Sequence, residues 1–217
     1  MNKGIVILAV MILPMSAQKM TFEDLPIGVA PSGWTIAMTH AGGPPKWEIV
    51  KDSRAPSGTN VLAQTSTDPT AGRFPLAVWN GGVFANGTLS VKFKTMSGTV
   101  DQGAGLVWRY RDENNYYIVR ANALEDNIVL YKVQNGERLA LPPIGSPSKT
   151  YGVKHKVPRQ TWCTLSVSFH GDRFAIGFNG EQLFEVKDAT FAAAGRVGLW
   201  TKADSVVYFD DFEVTGK

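Results

Sequence analysis

The chain has one cysteine in 217 residues. A lone thiol closes no intramolecular disulfide, so apolar burial must hold the fold by itself, and a chain of this length can bury enough. Histidine is equally scarce. His40, His155 and His170 are scattered, and no H-E-x-x-H pair exists for a zinc hydrolase. There is no G-x-S-x-G elbow and no phosphate loop; the GAG at 103–105 reads as strand. No run of Lys or Arg occurs. The formal charge is only +3, and +2 once Lys3 leaves with residues 1–17. A nucleic-acid or membrane-surface role lacks the basic patch it needs. No helical period of useful length appears either. The best helix candidate, DATFAAAG at 188–195, is long enough for about one or two turns before Gly195 stops it.

Residues 1–17 read as a secretory signal. Lys3 is the positive start, Ile5 to Leu13 form an apolar run too short to span a bilayer, and Ser16-Ala17 are small residues for cleavage. No cysteine follows that run, which argues against a lipid or membrane anchor. The expected location is periplasmic or secreted, with residues 18–217 as one domain. Cys163 shares strand parity with Leu165, Val167 and Phe169, so a buried, inert thiol is expected.

What the sequence does have is strand signal. Alternating apolar runs fall near 34–38, 46–50, 60–65, 88–96, 104–110, 115–122, 127–134, 161–170, 172–178, 181–187, 196–202 and 205–214. Turn pairs separate several of them: Asn135-Gly136, Gly171-Asp172 and Asn179-Gly180. Residues 52–59, 66–75 and 142–160 read as surface loops, and Asn86-Gly-Thr88 reads as a turn. Many short strands without helices between them predict an all-β, two-sheet antiparallel sandwich. In TLSVKFKTM, Leu89, Val91 and Phe93 should face the core, and Ser90, Lys92 and Lys94 the solvent.

The stretch GAGLVWRYRDENNYYIVRAN, 103–122, predicts a hairpin with its turn at 111–114. One face would carry Leu106, Trp108, Tyr110, Tyr117, Val119 and Ala121. The other would carry Val107, Arg109, Tyr116, Ile118, Arg120 and Asn122. The first is apolar enough for a core. The second suits a concave, partly wet surface whose guanidinium and amide groups offer donors to hydroxyls or a carboxylate. The same arginines could instead pair with carboxylates such as Asp126 or Asp204 as simple structure, and a bulge would scatter this face. Trp79, before Asn80-Gly81-Gly82, and Trp47 are candidates for exposed stacking platforms, or for packing at a strand end. Trp108 and Trp200 read as partly buried. Asp210 in SVVYFDDFEV needs a partner if it points inward. Backbone N–H groups, an arginine or a structural calcium ion could supply one, the calcium drawing on Glu23 or Asp24.

Three stretches in order carry a resemblance: GLVWRYRDENNYYIVRANALEDNIVLYKVQNG, then Trp162, Leu165, Val167 and Phe169 in a W-x-x-L-x-V-x-F strand, then GDRFAIGFNGEQLFEVKDATFAAAGRVGLWTKADSVVYFDDFEV. The chain resembles, over about residues 20–215, the concanavalin A-like jelly-roll superfamily. More narrowly it is similar to bacterial 3-keto-disaccharide hydrolase-like, or laminin-G-like, domains. The resemblance implies a jelly roll whose concave face takes a saccharide, lined by Arg109, Arg120, Asn122, Tyr116, Lys202 and Asp204. It also implies possible hydrolysis of a 3-keto-glycoside, with Asp204, Asp126 or Glu125 as acid or base and no required cofactor. The E-x-D-x-x-E strand of family 16 glucanases is absent, and no carboxylate pair has the spacing a retaining hydrolase needs. A non-catalytic module binding glycan or protein is the alternative.

Overall fold

The computed structural model describes residues 17–216. Its strands, in chain order, are β1 (Ala17–Met20), β2 (Trp34–Thr39), β3 (Trp47–Lys51), β4 (Asn60–Gln64), β5 (Phe74–Phe84), β6 (Gly87–Ser97), β7 (Gly103–Asp112) and β8 (Asn115–Asn122). They continue as β9 (Asn127–Gln134), β10 (Glu137–Leu141), β11 (Val153–Lys154), β12 (Cys163–His170), β13 (Arg173–Phe178), β14 (Glu181–Lys187), β15 (Gly195–Thr201) and β16 (Val206–Gly216). Sheet I runs β14-β13-β12-β6-β16-β4-β3, with β1 also on β16; sheet II runs β10-β9-β8-β7-β15-β5-β2, with β11 on β9. All pairs are antiparallel, and the two sheets form the jelly-roll sandwich. The expected signal, residues 1–17, lies outside the described residues except for Ala17, which pairs with Thr215.

The alternation that predicted the strands also builds the core. Leu89, Val91 and Phe93 of sheet I meet Leu106, Trp108 and Val119 of sheet II, all essentially without exposure. Trp108 stacks on Tyr117 and meets Phe174 edge-on, with centroids 5.5 and 5.3 Å apart. Burying each such side chain stabilises the fold by about 1.5–3 kcal/mol. Asn135-Gly136 and Asn179-Gly180 close two-residue hairpins with positive φ at both positions, the geometry that matches strand twist. Cys163 is buried, and burial pushes its thiol up, as expected of an inert residue.

Several expectations need correction. Residues 188–194 form a loop, and no helix occurs among the described residues. Lys94 does not face solvent; it lies against Trp162 and Tyr208 and pairs with Asp52. Trp47 is buried on Phe209 and offers no exposed platform. Among the described residues no cluster of three or more His, Cys, Asp or Glu could hold a metal. Backbone amides take the carboxylates assigned to calcium. Asp210 accepts from Ser57 N at 2.8 Å and Asp211 N at 2.7 Å, and Glu23 accepts from Thr59 N and Asn60 N, while Asp24 is exposed.

Asp210 is fully buried, and that burial pushes its carboxyl up to about 6. A carboxyl raised above its unfolded value contributes stability that is complete below about pH 4 and lost as pH rises through about 6. Urea unfolding should therefore show the protein about 1 kcal/mol more stable at pH 5 than at pH 7, and Asp210→Asn should flatten that slope. An unchanged slope in the variant would assign it to other groups.

Sheet II curls over its outer face. Strands β5 and β15 separate β2 from β7, yet the Thr39 hydroxyl donates to the Glu113 carbonyl at 2.6 Å and lies 2.7 Å from the Tyr116 hydroxyl. Both His40 ring nitrogens lie 2.8 Å from carbonyls, one of Gly72 and one of Gly136. The floor of this concave face is a second buried cluster, including Leu76, Val107, Ile118, Tyr131 and Trp200.

Candidate functional site

The concave face of sheet II turns polar where β7 starts and β8 ends. Register puts Arg120 opposite Gly105 and Asn122 opposite Gly103, with Val129 and Asn127 of β9 on their other side. The two glycines make room there. A Cβ at Gly103 would stand 2.9 Å from Asp101 Oδ1 and 3.3 Å from Arg120 Cδ, and one at Gly105 would stand 2.6 Å from Ile118 Cδ1. Arg120 can therefore lie across β7 rather than stand off it.

Two linked ion pairs form the polar end. Arg120 Nη2 donates to Glu125 Oε2 and to Asn127 Oδ1, both at 2.8 Å, and Asn127 Nδ2 closes the triangle on Glu125 at 2.9 Å. Lys202 Nζ donates to Asp101 Oδ2 at 2.8 Å, and Asn122 Nδ2 to Asp101 Oδ1 at 3.0 Å. Asn122 Oδ1 in turn accepts the amides of Leu124 and Glu125, which fixes the turn that presents Glu125. The face thus mixes a sealed layer with a reachable one. Arg120, Asn122 and Asp101 are buried, whereas the Glu125 side chain is 40% exposed and Tyr151 is 47% exposed. Burial resists ionisation of Glu125, but Arg120, Asn127 and Lys202 outweigh it and hold the carboxyl below its usual range. Tyr151 meets Tyr131 edge-on at 6.0 Å, with their hydroxyls hydrogen-bonded. It offers this face an exposed aromatic ring of the kind on which sugars stack.

The remaining candidates lie elsewhere. Arg109 is not on the groove. The β7–β8 register shifts after Trp108, Arg109 takes φ 49°, and its guanidinium turns inward over Phe174. There it donates to the carbonyls of Phe191 (2.7 Å), Ala85 (3.0 Å) and Gly171 (2.6 Å). The same bulge puts Tyr110 outward, reversing both assignments. Tyr116 does lie on the concave face, but fully buried in its floor. Asp204 is buried and accepts the amides of Thr99, Val100 and Asp101 and the Thr99 hydroxyl. Asp126 pairs with Lys156 and accepts Val157 N. Trp79 lies in β5, 9% exposed and stacked on Phe84. It lines a separate cavity of about 280 Å³ with Trp34, Phe22, Lys19 and Glu23, away from the charged cluster.

Residues 22–215 match the family described as the 3-keto-alpha-glucoside-1,2-lyase-like domain. The chain belongs to that family. Solved structures share the fold of this lyase-like domain. The carbohydrate-binding module CBM66 from Bacillus subtilis is 17% identical, with TM-score 0.63, covering 83% of this chain and 94% of that one. A protein of unknown function from Shewanella oneidensis is 16% identical, with TM-score 0.58, covering 99% and 96%. A Bacillus subtilis protein of unknown function with a galectin-like fold is 13% identical, with TM-score 0.50, covering 84% and 88%. At such identities the likeness establishes the fold. No curated protein sequence matches.

Reading the sequence of this lyase-like domain missed Asp101, Asn127, Tyr131, Arg138 and Tyr151 as parts of the concave face. Asn127 and Tyr131 were open to inspection, because they share parity with Arg120 once β8 and β9 are paired. Tyr151 sits in the 142–160 loop, where no period assigns a face.

Proposed function

We propose that the chain is a saccharide-active domain that takes a 3-keto-α-glucoside on the concave face of sheet II. The sugar packs on Tyr151 and meets Glu125 and Lys202. In a 1,2-elimination, the C3 ketone acidifies the hydrogen on C2. A base removes that proton, the electron pair becomes the C1=C2 bond, and the glycosidic oxygen leaves and takes up the proton from the protonated base or from water. Glu125 is the proposed base, and Arg120 and Lys202 are the cations proposed to offset the developing enolate charge.

The observation that carries this reading is the unequal exposure of two ion-paired carboxylates. Asp101 is buried between Lys202 and Asn122, while Glu125, held by Arg120, keeps 40% of its side chain exposed. Two-carboxylate hydrolysis needs two carboxyl groups that reach the sugar, one as acid and one as base or nucleophile; elimination needs one base. Paired Asp101 also supports the second reading, a module that binds sugar without cleaving it.

The test follows a 3-keto-α-glucoside by NMR in deuterated buffer. Glu125→Gln should lower the rate of C2–H loss and aglycone release by about 10²–10⁴-fold while still binding the sugar. Binding without any turnover by the unaltered protein would favour the module. Turnover unchanged in the variant would remove Glu125 from the reaction.

A further inference from the structure

Besides its two ion pairs, the concave face carries a guanidinium that has no carboxylate partner among the described residues. Arg138 of β10 pairs in register with Val133 and so points to the same side as Tyr131 and Arg120. Its guanidinium lies against three rings at once: 4.5 Å from the centroid of Tyr131, 4.8 Å from Phe74 and 5.8 Å from Trp200. Rings on several sides fix the plane of the fork without using its N–H groups. The side chain is half-buried, and its Nη1 is buried with no hydrogen-bond acceptor. Among the described residues Arg138 joins none of the ion pairs.

The charges on this face are therefore unequal. Arg120 is matched by Glu125 and Lys202 by Asp101; exposed Lys154, opposite Asn127, reaches the Glu125 carbonyl, and Arg138 has neither a carboxylate nor a carbonyl among the described residues. It borders the same Tyr131 ring as Arg120, whose guanidinium is 5.7 Å from that centroid. It is thus continuous with the proposed sugar site. A guanidinium held flat, partly desolvated and without an anion is prepared for a two-oxygen partner.

The structure assigns Arg138 as the receptor for an anionic substituent on the saccharide, a carboxylate or a phosphate ester, so the substrate class is an acidic sugar. This rests on the reading of the concave face as the saccharide site. Apolar floor residues hold the guanidinium, so selectivity comes from its position and not from a mobile surface charge.

Titration calorimetry with three probes tests it: 3-keto methyl α-glucoside, the corresponding 3-keto glucuronide, and the 6-phosphate of the neutral sugar. At least one acidic probe should bind about ten- to a hundredfold more tightly than the neutral one, and which of the two does so tells carboxylate from phosphate. Arg138→Met keeps apolar contact with the rings and should bring the ratio of acidic to neutral affinity close to one. Arg138→Lys keeps charge without the fork and should give an intermediate ratio. Thermal melts confirm that the variants fold. If the neutral sugar binds as well as both acids, or the ratio survives in folded Arg138→Met, the inference fails and the saccharide site stands. If no probe binds, both fail.

Discussion

Arg109→Met is expected to destabilise the protein by about 4 kcal/mol, and to lower its melting temperature by about 10 °C. The side chain holds three backbone carbonyls from three separate segments: Ala85 before β6, Gly171 between β12 and β13, and Phe191 before β15. Removing the guanidinium leaves all three without their donor in a buried setting, at about 1–3 kcal/mol each before relaxation. Methionine preserves most of the volume over Phe174, so the loss measures the hydrogen bonds rather than a cavity. Urea unfolding reads the difference. A loss under about 1 kcal/mol would mean that water replaces the guanidinium at these carbonyls.

Asp204→Ala should cost about 3 kcal/mol and should act at a distance on the site. The carboxylate gathers the amides of Thr99, Val100 and Asp101. Without it, the segment that positions Asp101, and through Asp101 both Lys202 and Asn122, loses its anchor. Burial raises the Asp204 carboxyl, but the amides of Thr99, Val100 and Asp101 outweigh it and hold the pKa below the ordinary value. A lowered carboxyl contributes stability that is present above about pH 4 and lost as pH falls through the folded value. The gap between the unaltered protein and Asp204→Ala should therefore be full at pH 7 and narrow below about pH 4. Asp204→Asn, which sets an amide in place of the carboxylate, should recover part of the loss. A gap that stays constant down to pH 3 would show that the ionised carboxylate is not what the amides need.

Both residues were candidates for ligand contact, and the reason they are not on the groove is instructive. Residues 115–134 pair in the register that strict alternation gives, so Arg120 and Asn122 fall on the face expected of them. Arg109 lies inside the bulge, between Trp108 and Asp112, where β7 carries extra residues relative to β8 and the side chains lose their alternation until the register recovers. Alternating polarity fits either register when both faces carry aromatics, as with Trp108 and Tyr117 on the core face and Tyr110 and Tyr116 on the other. Strand β5 escaped detection because Pro75 and Gly81-Gly82 are turn-forming residues set inside it. That error made Trp79 seem to sit on a loop, when it lies in the strand with its ring over Gly81, where a Cβ would collide with it. Strands β1 and β11 are too short to show a period, and β10, largely exposed, buries no face to mark one and so hid Arg138. The other twelve strands were legible from their apolar patterning.

The pairing of β1 with β16 has a consequence for attachment. Ala17 sits across from Thr215, so the two ends of the described chain emerge side by side in sheet I. The concave face belongs to sheet II, on the far side of the shared core. A tag, a linker or an immobilising surface joined at either end would leave from the back of the molecule. It would not need to cross Tyr151 or Glu125. A form of the domain tethered at Ala17 or Gly216 would thus keep the concave face turned away from its support.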